Sequence, residues 1–430
     1  MATGYFAKKN QINFEIFESG DSIGGNARTF EFNNFLYDSG AHRFHDKIPE
    51  ITAEIKGLLK SDLLKISIPS HIYLYDRYIN FPLAPFNLFQ KMGPIYMFGA
   101  GLKFLFRRLK KVKEEENFYS FAVNTYGDKI ASDFLLNYSE KLWGMPTTLL
   151  SSKIHGKRLK GLNISTFIKE LVIKDNKIND HLDGEFYYPR YGYGMIAEKL
   201  AESCGKENIQ TKARITKINH DNRRIVSIQI NGEKEIEAGE VVSTIPISLL
   251  ANLMSPKIPP RILELSNQFK YRNLVLIILL INKDKITESG TIYFPSLENS
   301  FTRVYEPKNR SADMSPPGKT SLCLEIPCFE SDGIWSQPDE ELIRDLMQKL
   351  LTLDWFEESE IFGYKVIKIS KAYPILEIGF EERVQEILEF FTGFSNLRII
   401  GRNAQFFHAS SYELIMAGKE FIQNYLERNN

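Results

Sequence analysis

Cysteine is scarce in this sequence, and what there is does not pair. The 430 residues include three cysteines, Cys204, Cys323 and Cys328, and no two of them form a CxxC motif. An odd number without a paired motif argues against a disulfide framework and against a zinc site. We therefore expect no bound metal and a reducing, cytoplasmic setting.

An excess of charge of one sign is also missing. Lys+Arg and Asp+Glu both count 54, so the formal net charge is zero. Such a chain has no overall field that attracts nucleic acid, and we expect no nucleic-acid partner. The first nine residues hold no apolar signal region of useful length.

Long apolar runs are absent too. The longest, Leu274 to Ile281, is far shorter than the ~20 residues that span a bilayer, and it predicts a strand buried on both faces. Residues 93–111 form an apolar stretch with glycines and a basic end. This segment is either a helix in peripheral contact with a membrane or a helix packed on the domain with a solvated basic end.

What the sequence does contain is a mixed order of helices and strands. The patterns predict helices over 2–9, 49–64 and 412–426, and a mostly helical region over 83–149. They predict a strand over 11–18, and hairpins around Asn33-Asn34, within 72–81 and at Asn231-Gly232.

The first chemical signal lies where the predicted strand ends at Glu18. An acid at the end of the second strand of a dinucleotide-binding unit accepts hydrogen bonds from ribose hydroxyls. Gly24 and Gly25 follow, and glycines let the backbone approach a pyrophosphate closely. Asn26 comes next, and Arg28 is a cation that can neutralise phosphate charge.

A second signal is the segment Asp38-Ser-Gly-Ala-His-Arg-Phe-His. Gly40 and Ala41 allow the backbone to lie against a flat ring, and His42 and His45 can hydrogen-bond to that ring or to a substrate. We take both histidines as candidate catalytic residues. An ordinary structural histidine pair is the alternative.

Towards the C-terminus, a predicted strand ends at Gly401-Arg402 and a helix starts near Tyr412 and Glu413, with His408 between them. A helix N-terminus stabilises negative charge on a nearby group. The turn-rich segment Tyr188 to Gly194 and the strand that contains Ile215 separate the two ends of the chain.

Taken in order, these motifs resemble the FAD-binding superfamily of amine oxidases, protoporphyrinogen oxidases, phytoene desaturases and UDP-galactopyranose mutases. Gly24 to Ala27 and the His42–His45 pair are similar to the mutases, and Arg28-Thr29 is similar to the protoporphyrinogen oxidases. The resemblance implies FAD as cofactor and assigns three more contacts: Gly401 and Arg402 near the ribityl-pyrophosphate, and the Ile215 backbone on the adenine. It also implies that Tyr412 and Glu413 lie at the flavin edge and that His408 is a further catalytic candidate.

The resemblance implies an α/β fold with two discontinuous domains. Residues 1–75, 187–265 and 385–430 would form a Rossmann-like FAD domain of the glutathione reductase type. Residues 76–186 and 266–384 would form an α+β substrate domain. Members of the family begin with a strand and a Gly-x-Gly-x-x-Gly loop, and here Met1 aligns after that loop. We therefore expect that about 15–20 residues of a complete βαβ unit are missing, which would weaken FAD binding and stability.

Three functions remain open at this stage. The first is an oxidoreductase in which FAD takes a hydride equivalent from a small organic substrate. The second is a mutase-like enzyme acting on a nucleotide-diphosphate sugar, in which Arg158, Arg190 and Arg303 could clamp the diphosphate. The third is a flavin-less remnant.

Overall fold

The computed structural model describes residues 1–108, 116–155 and 185–429. The candidate substrate residue Arg158 and the last part of the 93–111 segment lie outside these ranges. Within them, no helix is both long and apolar enough to cross a bilayer. Helices occupy α1 (Ala2–Lys9), α2 (Pro49–Leu59), α3 (Pro85–Met92), α4 (Pro94–Arg108), α5 (Phe118–Ile130), α6 (Asn137–Trp143), α7 (Met195–Cys204), α8 (Ile247–Leu253), α9 (Pro260–Asn267), α10 (Gly333–Ser336), α11 (Asp339–Leu351), α12 (Phe380–Thr392) and α13 (Ser411–Asn429).

The strands form sheets of different sizes, from two-stranded pairs to one sheet of seven strands. Their bounds are β1 (Ile16–Phe17), β2 (Thr29–Phe32), β3 (Phe35–Asp38), β4 (Leu63–Ile66), β5 (Ser70–Leu74), β6 (Arg77–Phe81), β7 (Phe186–Pro189), β8 (Ile209–Gln210), β9 (Ile215–Asp221), β10 (Arg224–Ile230), β11 (Lys234–Glu237), β12 (Val241–Ser243), β13 (Met254–Ser255), β14 (Tyr271–Ile281), β15 (Thr291–Tyr293), β16 (Arg303–Tyr305), β17 (Thr320–Cys328), β18 (Ile361–Pro374) and β19 (Leu397–Ile399).

A seven-stranded sheet, in the order β18-β14-β17-β16-β15-β5-β6, dominates the predicted substrate domain. Strand β14 contains the long apolar run, and each of its residues from Arg272 to Ile281 is buried. Its alternate side chains enter two different cores: Val275 and Ile277 face one, and Leu274 and Leu276 face the other. This confirms the predicted strand, because only a strand covered on both faces can be apolar at every position.

The predicted FAD domain contains parallel strands, as an α/β fold requires. Strand β1 pairs with β8, and β12 pairs with β19. The two pairs form separate two-stranded sheets and share no strand. The predicted domain boundary at residue 75 falls between β5 and β6, two strands that both belong to the seven-stranded sheet.

Several predicted elements differ in length from the observed ones. The strand expected over 11–18 is reduced to Ile16–Phe17, since its partner β8 spans two residues. The helix expected to reach residue 64 ends at Leu59, because Lys60 adopts a left-handed φ of 51°. Residues 63–66 then leave the helix and pair with β7.

The two parts of the fold meet at the buried carboxylate of Asp38. It accepts hydrogen bonds from the Tyr188 hydroxyl at 2.5 Å, the Thr29 hydroxyl at 2.7 Å and the Tyr193 backbone N–H at 2.9 Å. The Asp38 carbonyl accepts from the Tyr305 hydroxyl of β16 at 3.0 Å. One residue therefore connects the β2–β3 hairpin, the entry to α7 and the large sheet.

The Asp38 network also explains the glycines of the Tyr188 to Gly194 segment. The Gly194 N–H donates to the Thr29 hydroxyl at 2.8 Å. A Cβ at Gly192 would lie 2.4 Å from Thr29, and one at Gly194 would lie 2.6 Å from the Thr29 backbone. A side chain at either position would push the segment away from the hairpin.

Removing the Asp38 carboxylate should destabilise the protein strongly. Asp38→Ala leaves three buried donors without their acceptor, and each such loss costs roughly 1–3 kcal/mol. We expect a loss of about 3 kcal/mol or more, measured by urea unfolding, and a smaller loss for Asp38→Asn, which keeps one acceptor oxygen. Asp21→Ala, at an exposed carboxylate, is the control. Equal urea midpoints for Asp38→Ala and Asp21→Ala would show that the Asp38 hydrogen bonds do not stabilise the fold.

Candidate functional site

The loop after β1 places the first group of predicted residues. The Glu18 backbone N–H donates to Gln210 at 2.8 Å, which extends the pairing of β1 with β8. One carboxylate oxygen of Glu18 accepts from the Gly20 N–H at 2.7 Å. Gly24 and Gly25 both have left-handed φ values, 100° and 56°, and no atom lies within 4 Å of a Cβ built on Gly25. The backbone there is open to a ligand.

Arg28 lies beside this open loop. Its Nη1 donates to the Ser22 hydroxyl at 3.1 Å, and its guanidinium lies over the Phe30 ring. The Nε of Arg28 is buried and has no hydrogen-bond partner in the structure. A buried donor without an acceptor next to a glycine pair fits a phosphate oxygen. The neighbouring Asn26 amide donates to the Ala372 carbonyl at 3.4 Å and so contacts the strand β18.

The segment Gly40 to His42 contacts the large sheet at its interior strand β17. The Ala41 N–H donates to Oε1 of Glu325 at 2.9 Å, and the same oxygen lies 3.6 Å from a Cβ built on Gly40. The His42 Nε2 lies 3.1 Å from the Ser39 hydroxyl. The His42 ring stacks on Tyr193, with 4.8 Å between the ring centroids. These contacts fix both the backbone and the imidazole.

The surroundings keep His42 neutral. Burial and, after it, the guanidinium groups of Arg303, Arg310 and Arg402 together lower the pKa of His42 to about 3. At neutral pH the ring can donate or accept one hydrogen bond at each nitrogen, but it carries no charge. These three cations outnumber the two buried carboxyl groups beside them, Glu325 at Arg303 and Asp38 near Arg310, so this part of the site keeps an excess of positive charge.

Arg303, predicted as a substrate residue, lies inside this cluster. Its Nε donates to Oε2 of Glu325 at 2.8 Å, and its Nη2 donates to the same oxygen and to the Tyr373 hydroxyl at 3.0 Å. Glu325 has no exposed surface. Burial lowers the pKa of Arg303, but Glu325 and nearby tyrosines raise it more, so the guanidinium stays charged.

The C-terminal motif approaches the same cluster. Gly401 has a φ of 123°, and a Cβ there would lie 3.7 Å from Thr244. The Ile400 N–H donates to Ser243 at the end of β12. The Arg402 guanidinium lies 4.9 Å from the centroid of the Tyr373 ring, which also contacts Arg303. Tyr373 therefore connects a predicted cofactor residue with a predicted substrate residue.

The remaining predicted residues lie in different environments. The His45 ring lies 6.1 Å from Phe186, and His408 is exposed. Tyr412 packs edge-on against Phe44, and Glu413 accepts from the Ser410 N–H at the start of α13. Ile215 begins β9, two residues after Ala213, whose N–H donates to the Glu18 carbonyl.

Arg190, in contrast to Arg303, forms ion pairs at the surface. Its Nη1 lies 3.0 Å from Asp313 and its Nε lies 3.3 Å from Asp62. Two carboxylates therefore compensate this guanidinium already. Its proposed contact with a substrate diphosphate remains a prediction from the sequence.

Sequence reasoning missed the residues that hold this centre together. Glu325, Tyr138, Tyr293 and Tyr373 surround Arg303 and influence its pKa. Burial raises the pKa of Tyr138 far above its usual range, so its hydroxyl stays protonated. Glu325 did leave a signal: it is the one acid in the fully buried strand Thr320–Cys328. A charged residue in such a strand needs a buried partner.

These residues fit a flavin nucleotide at several points. The open glycine pair, the buried unpaired Nε of Arg28 and the carboxylate of Glu18 match the needs of a pyrophosphate and a ribose. The ordered Gly40–Ala41 backbone provides a flat surface for a ring. In the described residues, no group of three or more His, Cys, Asp or Glu side chains is arranged to hold a metal.

The low pKa of His42 should make stability depend on pH. The unfolded chain protonates this residue below about pH 6.5, whereas the folded chain does so near pH 3. Stability therefore falls as the pH drops between these values, by at most about 1.4 kcal/mol per pH unit. Urea unfolding from pH 7 to pH 4 should show a shallower decline for His42→Gln than for the wild type. Parallel declines would mean that His42 titrates normally in the folded protein.

Comparison with known proteins places this arrangement in a family. The sequence model described as "flavin containing amine oxidoreductase" matches residues 5–360. The chloroplastic protoporphyrinogen oxidase 1 of Arabidopsis thaliana is 23% identical over 386 residues, which cover 79% of this chain and 69% of that protein.

Solved structures agree on the fold. A reduced UDP-galactopyranose mutase superposes with a TM-score of 0.87 at 18% identity, covering 99% of this chain and 93% of the mutase. A redesigned putrescine oxidase superposes with a TM-score of 0.70 at 13% identity, covering 99% and 96%. The fold is thus the α/β fold of FAD-binding enzymes, with its large sheet. The family match extends over most of the chain, and the protein belongs to the flavin containing amine oxidoreductases.

Proposed function

We propose that this protein is an FAD-dependent oxidoreductase whose small organic substrate carries negative charge. The observation that supports it is the cluster of Arg303, Arg310 and Arg402 near His42, which outnumbers the neighbouring carboxyl groups of Glu325 and Asp38. A protonated amine would be repelled there, whereas a carboxylate or phosphate would be attracted.

When bound, FAD accepts a hydride equivalent from a carbon of the substrate. The protein's own residues bind, orient and shield. Glu325 holds the Ala41 N–H on one side and the Arg303 guanidinium on the other, so the ring-facing backbone and the cation keep a fixed separation. His42, neutral at pH 7, offers a hydrogen bond without adding charge.

Arg303 is the residue best placed to contact an anionic group of the substrate. It is largely buried, with 14% of its side chain exposed, and its Nε and Nη2 are used by Glu325 and Tyr373. The buried hydroxyl of Tyr138 acts on the same guanidinium. An acidic group near these donors would gain charge-assisted hydrogen bonds in a site with little water.

A mutase acting on a nucleotide-diphosphate sugar is the second candidate. The same cations favour it, since a diphosphate carries two negative charges. The Asn26 amide, in the Gly-Gly-Asn-Ala motif shared with mutases, lies at the carbonyl of Ala372 on β18, next to Tyr373. Such a reaction would involve no net oxidation of the sugar, in contrast to the first candidate.

A spectrum and a small substrate panel separate these candidates. The purified chain, supplied with FAD, should show flavin absorption after removal of free cofactor. The substrate panel has three members: protoporphyrinogen is a dicarboxylate, UDP-galactopyranose carries a diphosphate, and putrescine is a dication. We expect turnover with an anionic probe and none with putrescine.

Hydrogen peroxide release with protoporphyrinogen favours the oxidoreductase, and conversion of UDP-galactopyranose only with reduced flavin favours the mutase. Turnover of putrescine alone would refute the charge argument, and a colourless chain would leave the flavin-less remnant.

The Arg303–Glu325 pair allows a sharper test of substrate charge. Arg303→Met alone strands a buried carboxylate, which costs about 3–5 kcal/mol in stability. The double variant Arg303→Met/Glu325→Gln removes both charges and should fold. Its KM for an anionic substrate should rise about 10- to 100-fold, the value of a lost charge-assisted hydrogen bond, with a smaller change in kcat.

The matched control for this double variant is the exposed pair Arg261–Glu386, joined at 3.1 Å. Arg261→Met/Glu386→Gln removes the same two charges far from any site residue discussed above and should leave KM unchanged. If both double variants show the same KM, Arg303 has no role in binding the substrate.

A further inference from the structure

Helices α3 and α4 form a hairpin whose outer face is apolar and exposed. Helix α4 packs inward through Ala100 and partly through Tyr96 and Met97. Its opposite side presents Ile95 and Phe98, which are 88% and 71% exposed. The exposed apolar residues of the two helices are Phe86, Phe89, Ile95, Phe98, Leu102 and Leu105, which we call the outer stripe.

The spacing places the α4 members of the outer stripe on one face of that helix. On α4, its members recur at intervals of three and four residues, which places them on one side of a helix. On α3, Leu88 is fully buried, whereas Phe86 and Phe89 point outward. Gly93, with a φ of 84°, makes the turn between the two helices. Monomeric soluble proteins rarely leave so many large apolar side chains together in water.

The charges carried by α3 and α4 themselves are of one sign. From Pro85 to Arg108 the sequence contains no acidic residue and four basic ones: Lys91, Lys103, Arg107 and Arg108. Lys91 and Lys103 are exposed. Arg77 is a further exposed cation. It lies beside α3, because its guanidinium donates to the Lys91 carbonyl. Two acids adjoin the helices: Asp76 is exposed on the β5–β6 hairpin, and Asp133 accepts from the Tyr96 hydroxyl of α4 at 2.7 Å.

We propose that the outer stripe docks on an anionic membrane surface. Aromatic and aliphatic side chains of this kind enter the boundary between headgroups and acyl chains, while the flanking cations contact lipid phosphates. The chain would lie on the bilayer without crossing it. A second copy of the chain is a poorer occupant, because a twofold interface would bring this acid-free, basic segment against itself.

Vesicle sedimentation with the full-length chain tests this proposal. We expect the wild type to bind vesicles of 70% phosphatidylcholine and 30% phosphatidylglycerol at least ten-fold better than pure phosphatidylcholine. Binding should weaken as salt rises, because the cations contribute. The variant Ile95→Ser/Phe98→Ser/Leu105→Ser should lose at least ten-fold in binding, and Lys103→Gln/Arg107→Gln/Arg108→Gln should lose the preference for the anionic vesicles.

The control variant Val226→Ser/Ile378→Ser replaces exposed apolar residues elsewhere and should bind like the wild type. Thermal unfolding of all variants checks that each is folded. Two results would overturn the proposal: equal vesicle binding by the serine variant and the wild type, or no vesicle binding by the wild type. A concentration-dependent dimer that the serine variant abolishes, without vesicle binding, would assign the stripe to a second copy of the chain.

Discussion

The arrangement of this protein depends on one buried carboxylate with several donors. Asp38 has no exposed surface, and burial raises its pKa although three hydrogen bonds and Arg310 act in the opposite direction. The protein offsets the cost of burying this group by directing a tyrosine hydroxyl, a threonine hydroxyl and a backbone N–H towards it. The carboxylate fixes the β2–β3 hairpin to the segment that enters α7, and the Asp38 carbonyl, which accepts from Tyr305 of β16, fixes the following backbone relative to the large sheet. The hydrogen bonds of Asp38 therefore hold the backbone of the candidate site in place.

Much of the fold could be predicted from the sequence where a local pattern decides the structure. The apolar run of β14, the hairpins at Asn33-Asn34 and Asn231-Gly232, and the terminal helices all follow from periodicity or turn chemistry. The short strand β1 did not follow, since strand length is set by a partner almost 200 residues away. Asp38 was noticed as part of a motif, but its partners Tyr188 and Tyr305 could not be found without tertiary structure.

The candidate site shows the same division. The glycines of the loop after β1 and the position of His42 were predictable, because close backbone approach and ring contacts need particular residue types. The Arg303–Glu325 pair was only half predictable: the arginine was one of several candidates, and the acid was overlooked. Which carboxylate an arginine pairs with depends on the tertiary structure, and the sequence alone does not reveal it. Arg190 meets two surface carboxylates, whereas Arg303 meets one buried carboxylate beside the predicted ring surface.

The strand β14 has a consequence for how the chain is made. Its apolar run is complete at Ile281, whereas its neighbours β17 and β18 begin at Thr320 and Ile361. At typical rates of synthesis, the ribosome needs about 4–16 s to deliver the 80 residues up to β18. Until β17 is complete at Cys328, this long apolar segment has neither of its strand partners, and until β18 follows it has at most one. Biosynthesis of this enzyme thus includes a period in which a chaperone, or early collapse onto the N-terminal part, must cover β14.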